Sequence, residues 1–126
     1  MQKVISILLL LVGVIHLLPL SGVFGAEQLA SLYGLSFDDS SLVILMRHRA
    51  VLFGLLGVFF VIAAFKPALQ FSAFVCGFVS VVSFIAIAWF EGGYNEAINR
   101  VILVDLVALL SLSIGMILLT LVKRAR

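Results

Sequence analysis

The chain has 126 residues, of which 64% are hydrophobic and 11% charged. A water-soluble domain runs nearer about 45–50% apolar and about 25% charged, and a chain this short is mostly surface, so an ordinary soluble enzyme and a disordered segment are both excluded. Eight Lys and Arg against six Asp and Glu leave a net charge of +2; no basic run is interleaved with aromatics, so nucleic acid is not an expected partner.

A membrane-crossing helix needs about 20 apolar residues, so four would use about 80 and leave short loops. The first span covers about 4–20, with Lys3 before it and Ser21 and Gly22 after it. Its basic start and the small residues Gly25 and Ala26 resemble a signal peptide, but the apolar run is longer than a signal core, and it reads as a retained anchor. The loop that follows contains AEQLASLY at 26–33, with Leu29, Leu32 and Tyr33 apolar and then Gly34. That pattern predicts a short helix on the membrane surface, stopped by the glycine. Asp38, Asp39, Ser40 and Ser41 supply N-cap chemistry for the second span, which covers about 42–65 and ends at Lys66 and Pro67. Proline suits the first turn of a third helix, over about 68–90, ended by Glu91, Gly92 and Gly93. Trp89 and Tyr94 fall where an interfacial aromatic belt belongs. The fourth span covers about 98–122, before Lys123, Arg124 and Arg126. The expected fold is all-α: a single-domain, antiparallel up-down four-helix membrane bundle over 1–126. Cys76 is a lone cysteine in an apolar run, without a disulfide or CxxC partner, and reads as a small buried hydrophobe.

The charges divide by end. Lys3, Lys66, Lys123, Arg124 and Arg126 lie at the end with the termini, where there are no acids. All six acids, Glu27, Asp38, Asp39, Glu91, Glu96 and Asp105, lie toward the other end. Basic residues near span ends mark the cytoplasmic side. The expectation is a bacterial inner-membrane protein with both termini cytoplasmic and the long loop outside.

Ionisable residues inside a span are costly and mark candidate sites. Here they are His16, then Arg47, His48 and Arg49, then Asp105, while Glu91 caps the third helix and Asn95, Asn99 and Arg100 lie by the 91–97 turn. At 1.5 Å rise per residue, His16, His48 and Asp105 all fall roughly 7–11 Å below one surface. Every helix thus adds polar groups to that half, and the other half reads as apolar apart from Ser, Thr and Gly. Successive helical residues turn by about 100°, so Arg47 and Arg49 cannot both face the centre. Arg47 shares a stripe with Val51 and Gly54, His48 with Leu52 and Leu55, and Arg49 is free to snorkel to head groups. The expected ligand pocket is His16, Arg47, His48, Glu91 and Asp105, with Arg49, Asn95, Asn99 and Arg100 as secondary polar residues. Structural roles compete for the same groups: an interfacial anchor at Arg47 to Arg49, an Arg–Asp105 pair fixing helix register, or His16 bonding a carbonyl freed by Pro19.

Several chemistries fit parts of this set. Two histidines are the ligand type of bis-histidine haem, but Gly13 is the one small neighbour and a macrocycle needs more room. His16, His48, Asp105 and Glu91 are acceptable metal ligands, which the nearby arginines oppose. Neither haem nor a metal is expected, and the cofactor is left unassigned. Proton-coupled transport would use Asp105 or Glu91 with histidine relays and would need a dimer. An arginine and histidine pocket reached from lipid suits the head group of a lipid, fatty acid or quinone. Binding such an amphiphile is the expected function; the alternatives are an accessory or assembly subunit of a membrane complex and a small proton-coupled transporter acting as a dimer. The partners are membrane lipid and either a second copy or a larger complex. Ser6, Ser72, Ser80, Ser83, Ser111 and Ser113 fall at depths without a matching histidine and read as packing residues, so no nucleophile is expected. GLLG at 54–57 lies inside a span and reads as a close-approach surface rather than a phosphate loop.

LMRHRAVLFGLLG at 45–57, the first helix around Gly13, His16 and Pro19, and GGYNEAINRVILVD at 92–105 resemble small bacterial four-helix membrane proteins, DoxX-like in outline. The resemblance covers nearly the whole chain and implies the four-helix membrane fold. No activity carries over residue by residue. Such proteins are sometimes labelled phosphopantetheine adenylyltransferase, a soluble α/β enzyme whose βαβ pattern and nucleotide motif this sequence lacks. The quinone-linked redox roles that DoxX relatives imply find no CxxC or other redox centre here.

Overall fold

The computed structural model describes residues 1–126. Helix α1 covers Gln2–Leu17 and passes into a 3-10 segment, Leu18–Phe24. The change of winding falls at Pro19, which has no N–H to donate, while Leu18 before it keeps helical angles (φ −57°, ψ −46°). Gly25 then breaks the chain, and α2 covers Ala26–Tyr33, the short helix expected from the sequence. Gly34 takes the left-handed conformation (φ 64°) and donates its N–H to the Ala30 carbonyl, a helix stop that glycine adopts without Cβ strain.

Helix α3 covers Ser40–Phe65, and the Asp39 side chain accepts from the Ser41 N–H at its start. Lys66 is extended, as a residue before proline prefers, and Pro67 opens α4, Pro67–Glu91. After Gly92 and Gly93 the Asn95 side chain caps α5, Glu96–Arg124, by accepting from the Ile98 N–H at 2.9 Å. The spans read from the sequence sit inside these helices, and most run a few residues longer. The main difference is the first, whose apolar path continues through the 3-10 segment to Phe24.

Helix α1 packs on α3 and α5, and α4 packs on the same two, so the order around the bundle is α1, α3, α4, α5. With short turns between them, the helices alternate in direction. The result is the expected all-α up-down bundle, with α2 lying across the end that carries the 18–39 and 92–95 connections. That end is called the loop end below, and the other the termini end.

Only 25 of 126 residues are buried, while large apolar side chains such as Ile7, Leu55, Val79 and Ile117 point outward. Lipid, not protein, is the partner such faces need. All four long helices are long and apolar enough to cross a membrane, and the chain is a multi-pass membrane protein. Phe24, Trp89 and Phe90 are exposed at the loop end, where amphipathic and aromatic rings suit a membrane interface. Cys76 departs from expectation: it is exposed on the outer side of α4.

The core runs from the termini end to the middle and holds Ile5, Leu9, Phe60, Phe74, Leu112 and Leu119. Its closest approach is between α1 and α3. A Cβ on Gly57 would lie 2.8 Å from Leu17 Cγ and 3.0 Å from the Gly13 carbonyl oxygen, so the GLLG segment is the close-approach surface its sequence suggested. Similarly, the Leu112 side chain fills the space beside Gly77, and the Phe74 ring fills that beside Gly115.

This half is not purely apolar. Gln70 is fully buried and its Oε1 accepts from Gln2 Nε2 at 3.0 Å, while Ser6 Oγ donates to the Ala64 carbonyl at 2.6 Å. The two glutamines correct the expectation that only Ser, Thr and Gly occur here. They cross-link α1 and α4, where hydrocarbon offers no other partner.

Candidate functional site

A cavity of about 230 Å³ lies at the loop end, in a space to which every helix contributes. Its walls include His16, Leu18 and Pro19 from the first segment, Ser31 and Tyr33 from α2, and Arg49 and Phe53 from α3. Phe84 comes from α4, and Arg100, Val104 and Asp105 come from α5. Leu18 is 61% exposed and Val104 39%, so the mouth has apolar residues at the bundle surface.

Arg49 is the cation of this space. Its Nη1 donates to the Tyr33 hydroxyl at 2.7 Å. Its Cζ lies 4.5 Å from the Phe53 ring centroid, 5.5 Å from that of Tyr33 and 5.8 Å from that of Phe84. Guanidinium is weakly hydrated and stacks on aromatic faces, and ring quadrupoles attract it. Three rings from three elements therefore hold the charge in place of water. No carboxylate lies within ion-pair distance of it: the one ion pair in the molecule is Glu96–Arg100, at 3.6 Å and largely exposed.

Asp105 lines the same cavity from α5, half-buried. It forms no ion pair with Arg49, so the register-fixing bridge considered from the sequence is not made. Inside the cavity Arg49 and Asp105 face a common space without touching, and Arg100, paired with Glu96, adds a second cation at the exposed rim.

His16 forms the floor. Its Nδ1 lies 2.9 Å from the Val12 carbonyl, and its Nε2 lies 3.0 Å from Ser80 Oγ. A carbonyl only accepts, so Nδ1 carries the proton and Nε2 accepts from the Ser80 hydroxyl. Phe60 meets the ring edge-on at 4.9 Å and Phe53 lies 5.7 Å away. With both nitrogens used and 2% exposure, His16 shapes the cavity and ties α1 to α4.

Ser80 corrects a sequence expectation, since it does meet a histidine. The reason is depth: the first span ends at Phe24 rather than near residue 20, so His16 sits deeper than its count suggested. Ser83, Ser111 and Ser113 instead donate to carbonyls of their own helices, those of Ser80, Val107 and Leu109, a partner that stays available in hydrocarbon.

Of the expected pocket, His16 and Asp105 line the cavity, but Arg47, His48 and Glu91 do not. Arg47 turns toward the 3-10 segment, and its Nε donates to the Val23 carbonyl at 2.8 Å. That carbonyl lies next to the end of the 3-10 segment, so Arg47 caps backbone. His48 is exposed, on the face shared with the exposed Leu52 and Leu55. Glu91 is exposed at the end of α4. The turn of about 100° per residue puts one of the three basic neighbours inside, and the residue is Arg49, not Arg47.

Among the secondary residues, Arg49 becomes central and Arg100 stands at the rim. Asn95 is structural, since its Nδ2 donates to the Tyr33 carbonyl at 2.8 Å and joins the end of α2 to the start of α5. Asn99 is exposed.

The sequence placed Tyr33 only as an apolar position of the short helix and Ser80 only as a packing residue, and it did not single out Phe53 or Phe84. The i,i+4 spacing of Arg49 and Phe53 was the one available signal. His16 and His48 do not face one another, and no three His, Cys, Asp or Glu side chains converge as a metal set. No family model, curated protein or solved structure matches this chain, so the cavity's own chemistry is the ground on which its function is read.

Proposed function

We propose that this is a multi-pass protein of a bacterial inner membrane that binds an amphiphile, a lipid, fatty acid or quinone, by its head group in the loop-end cavity. The observation that carries the reading is that Arg49 and Asp105 line one cavity without contacting each other. Uncompensated charges at membrane depth are costly and mark ligand sites. Five guanidinium N–H groups are available, and the protein uses one of them on Tyr33. The exposed Leu18 and Val104 at the mouth support access for acyl or prenyl chains from the bilayer. The concentration of Lys3, Lys66, Lys123, Arg124 and Arg126 at the termini end supports cytoplasmic termini, which turns the cavity toward the outer leaflet.

The test is native mass spectrometry of the protein extracted from its own membranes, with and without Arg49→Gln. The bound amphiphile of the unaltered protein should fall about tenfold or more in the variant, the scale of one lost charge-assisted hydrogen bond. Equal retention by a variant with an unchanged melting curve removes the cavity from consideration.

A further inference from the structure

Given the reading above, that the cavity holds an amphiphile's head group, we infer that the head group is zwitterionic, an anion for Arg49 and a primary ammonium for Asp105, as in phosphoethanolamine lipids. The cavity presents both signs of charge. Arg49 has no carboxylate partner, and Asp105 has none of the protein's cations within ion-pair distance. A purely anionic head group satisfies Arg49 but faces the Asp105 carboxylate, and a purely cationic one does the reverse. A like-charge approach costs affinity where solvent is scarce, and a buried ion left without its counterpart is more costly than the pair. A head group with both charges matches each at no net change of charge.

Size and donor chemistry narrow the class further. The volume of about 230 Å³ is smaller than the roughly 300–1,000 Å³ of sites that enclose a whole drug-sized ligand. The cavity therefore takes a head group and leaves the chains outside, past Leu18 and Val104. A primary ammonium has three N–H donors for the Asp105 carboxylate. A trimethylated ammonium has none and is bulkier, and its usual receptor is an aromatic cage. Here the available rings, Tyr33, Phe53 and Phe84, already enclose Arg49. Ethanolamine is thus favoured over choline. The apolar rim favours a membrane lipid over a soluble phosphoethanolamine ester.

The purified full chain in detergent would be offered an equimolar mixture of phosphatidylethanolamine, phosphatidylcholine and phosphatidylglycerol of identical acyl chains, and the adducts read by native mass spectrometry. Phosphatidylethanolamine should be retained about tenfold over either of the others, the scale of one charge-assisted contact. Asp105→Asn keeps the side-chain shape and should erase the preference over phosphatidylglycerol, whereas Arg49→Gln should lower retention of all three. A second measurement needs no variant: the mono- and dimethylated ethanolamine lipids should bind progressively less well, and a flat series overturns the ammonium contact. Glycerophosphoethanolamine, which lacks chains, should displace the lipid poorly, and efficient displacement overturns the lipid as source. Preferential retention of phosphatidylglycerol leaves the amphiphile reading standing and sinks the zwitterion. Retention of no phospholipid sinks the zwitterion too, and only an empty protein from native membranes sinks the amphiphile reading with it.

Discussion

The two halves of this bundle are built from the same four helices but settle their space differently. Toward the termini end, small residues let backbones approach and large ones fill what is left: Gly57 lies against Gly13 and Leu17, and Phe74 against Gly115. At the loop end, the helices present Arg49, Asp105, His16 and a set of rings around a space that none of them closes. The first half is held mainly by van der Waals contact, a chief attraction between helices in lipid, with the Gln2–Gln70 and Ser6–Ala64 hydrogen bonds beside it. The second is held by directional contacts, Arg49 on Tyr33, Asn95 on the Tyr33 carbonyl, and Arg47 on Val23. Directional contacts at a few points leave volume between them, whereas close packing does not. A cavity is therefore compatible with a small bundle when one half provides the rigidity and the other the opening.

The sharpest way to break this contrast is to disturb the packed half. Gly57→Leu places a Cβ 2.8 Å from Leu17 Cγ and 3.0 Å from the Gly13 oxygen, and its branches extend further into α1. Both obstacles sit on a helix rather than on a flexible tip, so α1 and α3 must separate. A destabilisation of about 3 kcal/mol is expected, the upper end of overpacking, read from thermal or denaturant unfolding in detergent by circular dichroism. An unchanged transition would mean that the α1–α3 contact does not carry the packed half.

The helical framework was more legible in sequence than the cavity. Span count, the surface helix before Gly34, the Asp39 cap and the close approach at 54–57 follow from local rules of propensity, capping and residue size. The cavity was only half legible. Which of Arg47, His48 and Arg49 faces inward depends on the rotation of α3 about its axis, set by contacts with α1 and α4 distant in sequence. The angular step of about 100° showed only that Arg47 and Arg49 could not both face the centre, and the expected pocket took Arg47 and His48 where the structure takes Arg49. Depth was misjudged in the first span because a 3-10 segment continues past Pro19, and that moved His16 to the level of Ser80. Gln70 was passed over because one amide in an apolar run carries no periodic signal.

At the boundary between the halves, Ser80→Ala tests whether His16 belongs to packing or to the ligand. The change removes the hydroxyl that bonds His16 Nε2 at 3.0 Å and leaves a buried ring nitrogen without that partner. A cost of about 1 kcal/mol is expected, since interhelical hydrogen bonds in membranes average about 0.6 and reach about 1.7. Amphiphile retention should stay within about twofold once the lower melting temperature is allowed for. Unchanged stability with lost retention would reassign His16 and Ser80 to the ligand.

The smallest effect is expected at Arg100, and it isolates what enclosure does to a charge. Arg100 and Arg49 border the same cavity, but the Arg100 side chain is 73% exposed and paired with the equally open Glu96 at 3.6 Å. An exposed i,i+4 pair contributes about 0.3–0.5 kcal/mol and weakens with salt. Arg100→Gln should therefore lower stability by about that much at low salt, with the difference shrinking toward zero near 1 M salt, where charges are screened within about 3 Å. Retention of the amphiphile should fall less than in Arg49→Gln, because solvent already screens the rim charge while three rings and the Tyr33 hydroxyl fix the inner one. If the two variants lose retention equally, the rim and the interior of the cavity hold the head group alike, and enclosure by the rings is not what selects Arg49.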